Sequence, residues 1–235
     1  MARAAAQCGI ATIASTPHLR ADFPRVRVDE LANRCGALRH AIQREGIPIG
    51  LVSGAEVSVN WAAEADDDQL VLASYGHRGT DLLIETPFRW LVVCEWIVDK
   101  LQALGYRITL GHPERSREFQ HDEASLRALV DRGVLLQIDA DSLLRATSNT
   151  RNRRFARRLL TEGLAHAIAS DGHRAQSWRP VTRLAAAVAA AAELVGAERA
   201  EWMAEAAPSA IVNGAELPPA PPITKQRRRQ RLFGG

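Results

Sequence analysis

Six side chains able to hold a divalent metal ion recur at one kind of position in this chain, the end of a short apolar run. His18 follows "IATIAS", Glu56 ends "LVSGAEV", Glu85 ends "LLIE", His112 follows "RITLG", and Asp171 and His173 follow "AHAIAS". Imidazole and carboxylate together suit borderline ions such as Mn2+, Fe2+ or Zn2+, and several carboxylates allow two ions to share ligands. A cluster of this kind makes hydroxide from water near neutral pH and clamps the oxygens of a phosphoryl group in transfer. Arg115 in "HPER" and Arg179 in "SWRP" are spaced to reach the same face as bidentate phosphate donors.

Taken singly, each of these residues has a plainer reading. His18 suits a hydrogen-bonded loop histidine, and Glu56 or Glu85 an acid favoured by a helix N-terminus. His112 before Pro113 suits a turn, Glu114 with Arg115 a surface ion pair, Asp171 an N-cap and His173 a first-turn residue. Their joint placement at strand ends favours the metal reading. His40, His77, His121 and His166 fall off this pattern and are left out of the site.

The elements that must position them alternate. The β candidates "IATIAS", "IPIGLVSGAEV", "DLLIE", "RITL", "VLLQI" and "AHAIAS" are separated by segments with apolar residues at three- and four-residue intervals, such as "VDELANRCGALRHAIQRE" and "FRWLVVCEWIVDKLQAL". Gly46, Gly105, Gly133 and Gly163 follow these segments as helix C-caps. This is the pattern of repeated βα units, and in a parallel βα barrel the C-terminal strand ends open on one face. Trp90 and Trp96 fall within an apolar helix and are expected in the core. The arginines 151, 153, 154, 157 and 158 are expected on a solvated helix face.

The 235 residues, 46% of them hydrophobic, suffice for one domain with a full core. The formal charge of +3 includes Lys225, Arg227, Arg228, Arg229 and Arg231; without these five the remainder carries −2, which argues against a nucleic-acid partner. Residues 217–235 are rich in proline and arginine and are expected to form a flexible tail. Cys8, Cys35 and Cys94 form no C-x-x-C pair, which fits a reducing cytoplasm, and no apolar run is long enough for membrane insertion. A cysteine-based tyrosine phosphatase needs an arginine six residues after its nucleophile. Here those positions hold Ala14, Ala41 and Lys100.

At "STPH", "GAE", "LLIETP", "GHPER" and "SDGH" the sequence resembles the bacterial CpsB/CapC type of protein-tyrosine phosphatase, within the polymerase and histidinol phosphatase (PHP) superfamily. The resemblance implies a distorted (β/α) barrel of parallel strands over residues 1–216, holding two or three ions, usually manganese. It implies His18, Glu56, Glu85, His112, Asp171 and His173 as metal ligands, with Arg115 and Arg179 holding phosphate. It also implies a substrate, the phosphotyrosine tail of a membrane-associated tyrosine kinase serving capsule or exopolysaccharide synthesis.

One departure stands out: such proteins open with a strand bearing D-x-H-x-H and an acidic loop, and no H-x-H occurs here. The expectation is therefore a barrel lacking its first strand, with two exposed sheet edges and weaker hold on the innermost ion. A start codon assigned too late accounts for this better than decay does, because the downstream spacing is intact. Two other functions remain open. One is a phosphomonoesterase for a small molecule of the histidinol phosphate type, and the other a degenerate binding protein without catalysis.

Overall fold

The computed structural model describes residues 1–86, 91–146, 149–175 and 180–224. Eight short strands supply the frame: β1 (Thr12–Ser15), β2 (His18–Leu19), β3 (Gly50–Ser53), β4 (Glu56–Val57), β5 (Asp81–Glu85), β6 (Arg107–Gly111), β7 (Leu135–Asp139) and β8 (Ala167–Ala169). All pair in parallel. β1 lies on β3, and a six-stranded sheet runs β2-β4-β5-β6-β7-β8. The run "IPIGLVSGAEV", read as one strand, is thus broken into β3 and β4, and β2 is a short extra strand just beyond the predicted "IATIAS", so the frame has six strand positions.

Helices follow the strands and cover the sheet. The segment Glu123–Asp131 starts where the Asp122 side chain accepts from Ser125 N–H and buries Leu126 and Leu129. The segment Thr150–Thr161, capped by Asn149, buries Phe155, Ala156, Leu159 and Leu160. Its Arg151, Arg154, Arg157 and Arg158 are exposed. The four glycines expected to end helices all have positive φ, between 60° and 89°, a region open to Gly at little cost. The main core gathers Leu82, Ile84, Ile108, Leu110, Leu136 and Ile138 from the strands, with Ile97, Leu101, Leu129 and Leu159 from the helices.

Two expectations are corrected here. Trp96 is 57% exposed rather than core. The helix Leu91–Ala103 buries Cys94, Ile97, Val98 and Leu101, and a residue two positions after Cys94 points away from that stripe. Trp90 lies outside the described residues. Residues 217–224, expected to be flexible, lie against the domain: Leu217 and Ile223 pack on the core, and Thr224 N–H donates to Val195 O at 2.9 Å. Their prolines forbid regular structure but not an extended strap.

Among the described residues, β1 and β2 pair only toward β3 and β4, and β8 only toward β7. These outer strands thus have no further strand partner among the described residues, although Ala167 and Ile168 of β8 are buried. A cavity of about 1830 Å³ opens beside them, lined in part by Ile13, Val52, Ile168 and Val188, and it reaches His18, Glu56, Asp171 and His173. No described helix is long and apolar enough to cross a membrane.

Candidate metal centre and phosphate site

Strand register explains why distant residues meet. His18 is the Cα partner of Glu56, and Glu56 of Leu83, so these three side chains leave the sheet on one face. Glu85, two residues beyond Leu83, returns to that face. His18, Glu56 and Glu85 each offer a ligand atom, and these atoms lie within 4.8 Å of one another. The His18 Nδ1 atom is buried and makes no hydrogen bond among the described residues; it faces Glu56 Oε2 at 3.5 Å and Glu85 Oε2 at 3.9 Å. A buried imidazole nitrogen between two carboxylates is a donor set suited to a divalent cation.

The second group of expected ligands adjoins the first. His112 Nε2 lies 2.9 Å from Glu56 Oε1, so Glu56 touches both histidines through different oxygens. Burial alone would raise the Glu56 carboxyl, but the His112 hydrogen bond and the charges of His112, His18 and Arg115 outweigh it and hold it below its ordinary value. In His112 burial pulls down, and contact with Glu56 prevails and raises it. The His173 ring centroid is 6.3 Å from that of His18, and His173 Nδ1 is 3.8 Å from Asp171 Oδ1. His112 and Asp171 both take positive φ, 43° and 44°, which non-glycine residues adopt at a cost and which clusters at functional sites.

Arg115 reaches this group from the short turn Pro113–Arg115. Its Nη1 lies 3.3 Å from Asp171 Oδ2 and 3.6 Å from Asp139 Oδ2. Arg179 lies outside the described residues. Three residues outside the expected ligand and phosphate set belong to the same face, among them Glu114, which is buried and not the surface residue its plainer reading suggested. Arg20 grips both oxygens of Glu85 through Nη1, at 2.7 and 2.9 Å. Asp139, only 4% exposed, ends β7 and accepts Asp141 N–H. Glu114 is fully buried and accepts Asp139 N–H at 3.1 Å; burial, then the nearby Asp139 charge, push its carboxyl up to about 7. Asp139 met the strand-end criterion, since "VLLQI" runs directly into it.

The thiols stand apart. Cys35 and Cys94 are buried, and burial pushes Cys94 up to about 12, far from thiolate chemistry.

A family model described as capsular polysaccharide synthesis, CpsB/CapC, matches residues 1–213. The chain belongs to the CpsB/CapC family. Tyrosine-protein phosphatase YwqE of Bacillus subtilis (strain 168) is 31% identical over 178 residues, which cover 75% of this chain and 69% of that protein. A putative tyrosine-protein phosphatase, CapC of Staphylococcus aureus, is 38% identical over 74 residues, 32% of this chain and 29% of that one. The fold matches a structure described with YwqE from Bacillus subtilis and CpsB from Streptococcus pneumoniae as unique metal-dependent tyrosine phosphatases. The TM-score is 0.78 at 27% identity, covering 97% of this chain and 90% of the other. Within this CpsB/CapC chain the metal-type cluster falls on "TPH", "GAE" and "LLIE", segments that also carry the sequence resemblance.

Proposed function

We propose that this chain is a metal-dependent protein-tyrosine phosphatase of capsule or exopolysaccharide synthesis. Its substrate is the phosphorylated tyrosine tail of a membrane-associated bacterial tyrosine kinase, met in the cytoplasm. The observation that carries the reading is the buried His18 Nδ1 without a hydrogen bond, between Glu56 and Glu85. His18, Glu56 and Glu85 would hold one ion, and His112, Asp171 and His173 contribute to a second or third. Mn2+ suits this mixed nitrogen and oxygen set, with Fe2+ or Zn2+ as substitutes. Bound there, the metal supplies an activated water and neutralises phosphate charge.

The chain's own residues do the rest. Arg115 presents a guanidinium to the phosphate oxygens and to the charge that grows as the ester bond breaks. Asp139 and Asp171 set its position. Glu56 orients the His112 ring by accepting from Nε2. Arg179 is proposed as a second phosphate donor. Water's oxygen replaces the tyrosine oxygen on phosphorus, and the phenol leaves with a proton.

One observation favours a second reading. Arg20 already gives Glu85 a positive partner, its Nη1 reaching both carboxylate oxygens, as a non-catalytic phosphate-binding descendant would. Metal content and turnover separate the two. The protein, kept in millimolar Mn2+, should bind the ion, hydrolyse p-nitrophenyl phosphate and phosphotyrosine peptides, and lose both properties in EDTA. Activity that survives exhaustive chelation sinks the metal mechanism, and metal-free protein that binds phosphate without turnover establishes the binding reading.

A further inference from the structure

Phe23 stands at the lip of the metal-type cluster. It is 44% exposed although its ring is among the largest apolar side chains of the chain. The ring lies nearly parallel to the His18 imidazole, 21° between planes and 5.3 Å between centroids. The Arg20 guanidinium carbon sits 5.9 Å from its centroid.

The loop around it is tied down. Phe23 N–H donates to Arg20 O at 3.0 Å, Val26 N–H donates to Phe23 O at 2.9 Å, and Arg20 holds Asp22 at 2.7 Å as well as Glu85. The held loop backbone thus places a half-exposed aromatic ring directly beside a candidate ligand. Core packing does not explain it, since Phe23 joins none of the core clusters.

Resting on the phosphatase reading above, we propose that Phe23 is the residue that selects an aryl phosphate over an alkyl phosphate. With the phosphoryl group at the His18, Glu56 and Glu85 cluster, the ring of a phosphotyrosine begins one bond beyond the bridging oxygen. It meets the Phe23 ring in the offset or edge-to-face manner that aromatic pairs favour. A phosphoserine or phosphothreonine side chain brings no ring to this contact.

The test uses two inert probes, phenylphosphonate and methylphosphonate, titrated calorimetrically into Mn2+-loaded protein with metal content measured alongside. The wild type is expected to bind the phenyl compound about fivefold more tightly, the scale of one aromatic pair. Phe23→Ala should erase that preference while leaving methylphosphonate affinity and metal content unchanged, and Phe23→Tyr should restore it. A preference that persists in Phe23→Ala overturns the proposal. So does equal loss of both probes together with metal, which would make Phe23 a support for His18 alone. If the loaded wild type binds neither probe, the phosphate site itself is wrong and the proposal falls with it.

Discussion

The Nη1 atom of Arg115 stands 3.3 Å from Oδ2 of Asp171, so a residue proposed to grip phosphate is held by one proposed to hold metal. The two roles remain separable, because a guanidinium binds anions and contributes nothing to a cation. Arg115→Ala should cut turnover of phosphotyrosine peptide by about 10²-fold, the usual effect of losing one donor to developing charge. Bound Mn2+, measured by elemental analysis, should stay near the wild-type amount. Loss of the metal instead would make Arg115 a support for Asp171.

Asp139 offers a finer cut. Its Oδ1 accepts Asp141 N–H at the start of the helix Ala140–Leu143, and its Oδ2 faces Arg115 at 3.6 Å. Asparagine caps helices as well as aspartate does but carries no charge. Asp139→Asn should therefore leave the melting temperature and metal content nearly unchanged while lowering kcat by roughly 3- to 10-fold, the scale of one charge-assisted contact. A large fall in melting temperature with normal kcat would show that only the cap matters.

Glu56 touches both His18 and His112. Ligand binding to the native state alone raises stability by RT ln(1 + [L]/Kd), so a metal held at this cluster must raise the melting temperature as Mn2+ is added. Glu56→Gln should flatten that response and abolish turnover. If the melting temperature of this variant still climbs with Mn2+ as in the wild type, the ion sits elsewhere.

His166 gives a pH dependence away from the site. Leu136 N–H donates to its Nδ1 at 3.2 Å, and burial, aided by the Arg199 charge, pushes its pKa down to about 4. Between about 4 and the ordinary histidine value near 6.5, the unfolded chain binds a proton that the folded chain refuses, so stability rises with pH across that window. The contribution is complete above about 6.5 and lost as pH falls to about 4, on the order of 3 kcal/mol in all. His166→Gln, which keeps an acceptor for Leu136, should flatten the urea-measured stability in that window. An unchanged slope would assign the acid sensitivity to other groups.

Much of this site was legible because parallel strands turn sequence position into spatial position. Side chains at the ends of parallel strands arrive on one face, and the candidates His18, Glu56, Glu85, His112, Asp171 and His173 come near one another there. Asp139 satisfies the same rule, but its place directly before a helix also fits a plain N-cap, and only tertiary contact with Arg115 shows a second role. Arg20 and Phe23 sit in a loop with no periodicity, where only tertiary contact reveals a role. Trp96 misled through composition, because an apolar segment does not state which of its residues faces outward. The strap misled through proline, which rules out helices and inner strands but not carbonyl-mediated docking.

That docking makes the last prediction. Trp202 Nε1 donates to Pro218 O at 3.0 Å, and buried Arg199 donates through Nη1 to Pro221 O at 3.2 Å while its guanidinium lies 4.8 Å from the Trp202 ring centroid. Ending the chain at Glu216 would strip acceptors from both side chains and uncover the apolar surface under Leu217 and Ile223. Each lost hydrogen bond costs about 1 kcal/mol, more when the abandoned donor is charged and stays buried, and the uncovered aliphatic contacts add about as much again. For a chain of this size each kcal/mol moves the melting temperature by roughly 2–4 °C, so the shortened protein should melt about 5–10 °C lower. Trp202→Phe in the full chain removes one of those hydrogen bonds and should account for only a small part of the fall. The metal-type cluster lies on other strands, so Mn2+ retention at low temperature should survive the truncation. A shortened protein that melts within a degree of the full chain would mean that the strap follows the fold without contributing to it.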